Sequence, residues 1–107
     1  MITITPAAAQ QIKAAAKQGR SEGMALRIAA QRAPDGTIQY AMGFDDLERT
    51  DDIHFTSEGI ELTIAPTSTM LLEGMTLDYV EYEPDRFDFI FLNPNDPHYQ
   101  PPQEDDV

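Results

Sequence analysis

Apolar residues recur at two different periods along this 107-residue chain, and the change of period marks where helix gives way to strand. Ala8, Ile12, Ala15 and Ala16 fall at helical spacing in an alanine-rich stretch. Thr5-Pro6 supplies a start for it. The threonine hydroxyl can accept from an orphan amide, and proline at the first helical position has no amide needing a partner. Lys13 and Lys17 complement the negative end of the helix dipole, and Gly19 is expected to take a left-handed cap. One amphipathic helix is therefore predicted over Pro6–Gln18, its apolar face on a sheet. Two lysines on the polar face are too few for a membrane-binding helix.

After Gly19 the period becomes two. Met24, Leu26, Ile28 and Ala30 alternate with Ala25, Arg27, Ala29 and Gln31; after Pro34-Asp35-Gly36 the alternation resumes at Ile38, Tyr40, Met42 and Phe44. This predicts a hairpin or two neighbouring strands. A polar loop, Asp45 to Asp52, leads to a strand at Ile53-His54-Phe55, and Ser57-Glu58-Gly59 turns the chain into Ile60, Leu62 and Ile64. Pro66 opens a short helix or turn over Thr67–Glu73 that ends at Gly74. Leu77, Tyr79 and Val80 predict a strand, Pro84-Asp85-Arg86 a turn, and Phe87, Phe89 and Phe91 the inward face of a last strand. The count is one main helix and about six strands.

From Asn93 onward prolines and acids replace apolar residues, so we expect one domain over residues 1–95 and a flexible acidic, proline-rich tail over 96–107. Nineteen acidic against seven basic residues leave a formal charge of −12. Phosphate backbones and anionic membranes are repelled on average, so neither nucleic acid nor membrane is an expected partner; the charge reads first as solubility, with a basic protein partner as the sharper alternative. The aromatic triplet, with Asp85 and Asp88 beside it, is a poor platform for stacking nucleic-acid bases. With no cysteine there are no disulfides, thiolate ligands or thiol nucleophiles. Met1-Ile2-Thr3-Ile4 lacks the basic start of a signal peptide and no apolar run approaches the roughly 20 residues of a membrane span, so the expected location is cytoplasmic.

Catalytic patterns are sparse. Ser57 lies near His54, yet no Gly-x-Ser-x-Gly elbow surrounds any serine, and His54 reads as a solvated or hydrogen-bonded strand residue. The loop carrying Asp45, Asp46, Glu48, Asp51 and Asp52 lacks the alternating ligands and central glycine of a calcium loop. No phosphate-binding glycine loop is present. The expectation is a non-enzymatic chain.

Thr5 with its alanine-rich helix, Leu26-Arg27-Ile28, Tyr40…Phe44, Glu58-Gly59-Ile60, Gly74…Leu77-Asp78-Tyr79-Val80 and Phe91…Asn93-Pro94-Asn95 together resemble the HesB/IscA family of A-type iron–sulfur carriers. The order and spacing of these pieces, from Met1 to Asn95, carry the resemblance. It implies an α+β fold: a compact, flattened β-sandwich of short mixed strands with the N-terminal helix outside. It also implies three cysteine ligands. Their positions correspond here to Asp35, Gln100 and Pro102, none of which supplies a thiolate, the soft ligand that clusters use. Neither cofactor nor cluster carriage by the family's thiolates is therefore expected. The chain is similar to a cysteine-free, DsrR-like branch found beside the dissimilatory sulfite reductase genes of sulfur-oxidising bacteria.

Two functions follow from that resemblance. The first is an interaction or regulatory protein linked to sulfur oxidation or iron–sulfur metabolism, with the acidic loop, the Asp35 turn and the tail as contact elements. The second is a mononuclear iron-delivery protein using Asp35, His98 and Glu104 or Asp105, a hard oxygen and imidazole set. Pro-Asp-Gly is a favoured turn in its own right, and turn formation is the stronger reading of Asp35. Family members commonly form dimers or tetramers; the charge and the missing ligands favour a monomer here.

Overall fold

The computed structural model describes residues 2–46 and 51–97. Along them run β1 (Thr3–Ile4), α1 (Pro6–Gln18), β2 (Ala25–Arg32), β3 (Ile38–Asp45), β4 (Ile53–Ser57), β5 (Ile60–Ile64), α2 (Pro66–Leu72), β6 (Thr76–Glu83) and β7 (Arg86–Leu92). Thr5 caps α1 as expected, its Oγ1 accepting from the Ala8 amide at 3.1 Å. The same hydroxyl donates to Asp78 Oδ1 at 2.6 Å, so the cap also ties the helix to β6. Gly19 is not left-handed, at φ −89°; Arg20 is, at φ 55°. The Ser21 amide reaches the Ala16 carbonyl at 2.7 Å and the Arg20 amide the Lys17 carbonyl at 3.3 Å. The helix ends at Gln18 as expected, but its left-handed residue is Arg20 rather than Gly19, an arginine in a conformation costing about 1–2 kcal/mol.

The strands form two sheets, ordered β1-β6-β7 and β3-β2-β5-β4. β2 and β3 are an antiparallel hairpin with Leu26 opposite Phe44 and Arg32 opposite Ile38. β4 and β5 form a second hairpin, and positive φ at both Glu58 (51°) and Gly59 (76°) gives its tight turn the hand that matches strand twist. β5 runs parallel to β2 only at Leu26 and Arg27. Past that point α2 takes over the edge: the buried Ser68 hydroxyl accepts from the Ala30 amide at 3.1 Å and donates to the Ala30 carbonyl at 3.3 Å. The segment after Pro66 is thus a helix, and it satisfies backbone groups a further strand would have paired.

Ile28 and Leu62 from one sheet meet Ile4 and Leu77 from the other, with Leu72 and Met75 beside them; all are fully buried. Ala8, Ala9 and Ile12 of α1 complete this core, and two of the three helix residues being alanines lets the helix lie close to the strands. The architecture is the expected α+β sandwich with an outer N-terminal helix, extended by the two-residue β1 and by α2. The aromatic triplet is a correction. Phe87 is 51% exposed, and Phe89 and Phe91 are only half-buried. The β6–β7 hairpin projects past the core, so the inward face of β7 is covered only near its C-terminal end. There Phe91 stacks on Tyr40 across the two sheets at 4.4 Å and 2°.

No helix among the described residues is long and apolar enough to cross a membrane. The tail expected to be flexible lies, from His98 on, outside the described residues.

Candidate functional site at the β2–β3 turn

Asp35 stands at the tip of the β2–β3 hairpin. Its Oδ1 accepts from the Thr37 amide at 3.0 Å and from Thr37 Oγ1 at 2.6 Å. The Ala33 amide meets the Thr37 carbonyl at 2.8 Å and the Gly36 amide the Ala33 carbonyl at 2.9 Å. Gly36, at φ 91°, takes the conformation that closes the turn. Arg32 Nη1 donates to the Gly36 carbonyl at 2.6 Å, strapping the tip from its flank. Every polar atom named here has a job in the turn, in line with the turn reading of Asp35.

Of the two positions that would complete a ligand set with it, Gln100 and Pro102 lie outside the described residues, as do His98, Glu104 and Asp105 of the hard-ligand alternative. Among the described residues no group of three or more His, Asp or Glu side chains converges as a metal would require. The Asn93-Pro94-Asn95 segment shows how the chain is aimed after β7. Asn93 is 1% exposed; its Nδ2 donates to the Leu71 carbonyl at 2.6 Å and its Oδ1 accepts from the Asn95 amide at 2.9 Å. Asn95 Nδ2 donates to the Glu73 carbonyl at 2.8 Å. The two asparagines thus bind the carbonyls left open at the end of α2 and direct the chain toward β3.

Asp96 then comes beside Tyr40, five residues along the chain from Asp35. The Tyr40 hydroxyl is buried with no hydrogen-bond partner among the described residues: Asn93 and Asp96 lie near enough to influence its titration, but neither meets bonding geometry. Burial raises the Tyr40 pKa above the ordinary tyrosine value, and the neighbouring Asp96 charge adds to the effect.

The described ends of the acidic loop are held by Arg27. Arg27, facing outward from β2, bonds Asp52 Oδ2 at 2.6 Å through Nη2 and Asp45 Oδ2 at 2.6 Å through Nε. The Asp52 side chain is 1% exposed. The bonds to Asp52 and then Asp45 raise the Arg27 pKa still further above its already high ordinary value. Asp46 and Asp51 are exposed, and Glu48 lies outside the described residues. His54 bonds Thr63 through Nδ1 at 3.1 Å, and Ser57 Oγ accepts from the Ile4 amide at 3.0 Å, so the two are separately engaged in the scaffold.

A surface groove of about 720 Å³ lies along β2 between the Asp35 hairpin and α2, with Arg27, Arg32, Tyr40 and Ser68 on its walls. Both arginines and the serine are engaged as described, and among the described residues no nucleophile–base pair lines the groove. Sequence reasoning missed Arg27 as the loop's anchor and Ser68 as an edge cap. An outward arginine in an alternating strand followed by an acidic loop was a usable sign of the first; the second had none, since α2 meets β2 only in the fold.

Residues 1–96 match the family model for iron-sulphur cluster biosynthesis. A protein of Cereibacter sphaeroides, known as an uncharacterized protein in the nifU 5′ region, is 35% identical over 95 residues, 89% of each chain. The iron-binding protein IscA of Serratia proteamaculans is 33% identical over 94 residues, 88% of this chain and 86% of its own. Among solved structures, that of IscA with the [2Fe-2S] cluster superposes with a TM-score of 0.75 at 29% identity, covering 88% of this chain and 86% of the other.

Proposed function

Because the chain belongs to the iron-sulphur cluster biosynthesis family, we propose that it is a member which works through protein contacts rather than by carrying a cluster on cysteines. Its setting is sulfur oxidation or iron–sulfur metabolism in the cytoplasm, its role non-enzymatic, and its partner a protein. The observation that carries this reading is the union of an IscA-like fold with a ligand position held by a turn-forming carboxylate. The fold covers 88% of the chain at a TM-score of 0.75, while the chain has no cysteine and Asp35 Oδ1 is engaged with Thr37.

A cluster treated as cargo does not fit these residues. Carboxylate oxygen is a hard ligand, and iron–sulfur clusters are held by thiolates. Asp35 would also have to leave the turn it closes.

Affinity capture with the full chain from its own organism tests the reading. Reproducible recovery of a defined protein, from sulfur oxidation or cluster assembly, is expected. Isolation of the chain with a stoichiometric iron–sulfur centre, seen in the visible spectrum and by sulfide analysis, would overturn it.

A further inference from the structure

The described surface carries several large apolar residues, and they are not equivalent. Met24 lies just before β2, Ile53 opens β4 and Met70 is on α2, and isolated apolar residues of this kind are ordinary. The β6–β7 hairpin gathers its own: Phe87 (51% exposed) and Tyr82 (57%) lie on it together. Tyr79 stacks on Phe87 at 5.7 Å and 13° and tilts against Phe89 at 4.8 Å and 53°. Tyr79, Phe87 and Phe89 share the face that becomes core at Leu77 and Phe91, so an apolar surface continues out of the sandwich into water. Stacked, pre-ordered aromatic side chains lose little entropy on binding and are typical of contact hot spots.

The charges around this face select its occupant. Between Thr76 and Leu92 the hairpin has five carboxylates and one cation, Arg86, which lies 3.8 Å from Glu83. Asp78 and Asp88 alternate to the opposite face, where Asp78 accepts from Thr5, and Glu81, Glu83 and Asp85 stand toward the hairpin tip beside the aromatic residues. Glu81 lies opposite Phe87, at the rim of the aromatic face. A second copy would bring two such hairpins, each on a chain of charge −12, against one another. Addition of a strand along β7 is also opposed, because the Phe89 amide is taken by Asp88 Oδ1 at 2.9 Å.

We propose that the aromatic face of the β6–β7 hairpin is the docking surface for a basic protein segment, with an aromatic or aliphatic anchor seated on Tyr79, Phe87 and Phe89 and flanking lysines or arginines over the acidic rim. This rests on the reading that the chain acts through protein contacts, and it names the surface and the chemistry of the partner.

The test uses the full, isotope-labelled chain and a short synthetic peptide with two phenylalanines between lysine pairs, followed by NMR. Shifts should centre on the amides of Tyr79, Phe87 and Phe89, and affinity should fall with added salt. Replacing the peptide phenylalanines by serine, or Phe87→Ser in the protein, should each weaken binding at least about tenfold. Glu81→Lys with Glu83→Lys should weaken it as well, without touching an aromatic. Equal binding of the serine peptide, shifts centred on the Asp35 turn or α1, or concentration-dependent dimers in sedimentation would each overturn the proposal. A photo-crosslinking residue placed at position 87 and, separately, at position 35 in cells separates this claim from its premise. Partner cross-links from 87 support the surface. Cross-links from 35 alone overturn it while the interaction reading stands, and none from either overturns both.

Discussion

The two ends of one pair of strands differ sharply. At one end of β6 and β7, Leu77 is fully buried and Phe91 is stacked on Tyr40 of the opposite sheet. At the other, on the same face, Phe87 is half in water and stacks on Tyr79 of its own hairpin. Period-two alternation is identical at both ends. The difference lies in what arrives from elsewhere: β1 pairs with β6 only at Thr76 and Leu77, and α1 is capped onto Asp78, so cover stops there. Alternation says which residues share a face; only neighbours decide whether that face is a core or a contact surface.

Substitutions at the two ends should therefore differ in kind. Leu77→Ala opens a cavity where sheet meets sheet and is expected to cost about 4 kcal/mol, measured by denaturant unfolding. A cost below about 1 kcal/mol would erase the contrast. Arg27→Ala on the outer face of the other sheet deprives the buried Asp52 carboxylate of its guanidinium. We expect about 2 kcal/mol, less than a fully buried pair would give because the Arg27 side chain keeps 18% of its surface in water.

Tyr40→Phe probes the border between the ends. It keeps the stack on Phe91 and removes a buried hydroxyl with no hydrogen-bond partner among the described residues, so stability at neutral pH should rise by up to about 1 kcal/mol. It should also change the alkaline response. A tyrosine whose folded pKa is raised holds its proton more tightly when folded. Its contribution is complete below the unfolded value of about 10 and is lost as pH rises through the folded value. Unfolding midpoints of Tyr40→Phe should therefore fall less steeply above that pH than those of the parent chain. Smallest of all, Phe87→Ser should change stability by less than about 0.5 kcal/mol while removing the peptide binding proposed above.

Much of the scaffold was legible locally. Thr5-Pro6 set the start of α1, Pro34-Asp35-Gly36 its hairpin tip, and Glu58-Gly59 the tight turn, because capping hydroxyls, fixed proline φ and left-handed glycine act within a few residues. Small displacements of local rules were not legible. The left-handed residue falls at Arg20 rather than Gly19 although α1 ends at Gln18 as expected, a difference that neighbouring residues do not encode. At the candidate site the turn role of Asp35 could be read, since Thr37 lies two residues away. Its relation to Asn93 and Tyr40 could not.

The alternation of apolar residues, the turn residues and the absence of cysteine belong to the sequence alone, and they suffice for the strand order along the chain and for excluding thiolate chemistry, because each is a property of nearby residues or of composition. Which strands meet, that Asp52 is buried on Arg27, and that Phe91 is covered while Phe87 is not were decided by tertiary structure. Those outcomes depend on contacts between residues far apart in the chain, and burial is a property of the assembled neighbours rather than of the side chain that is buried.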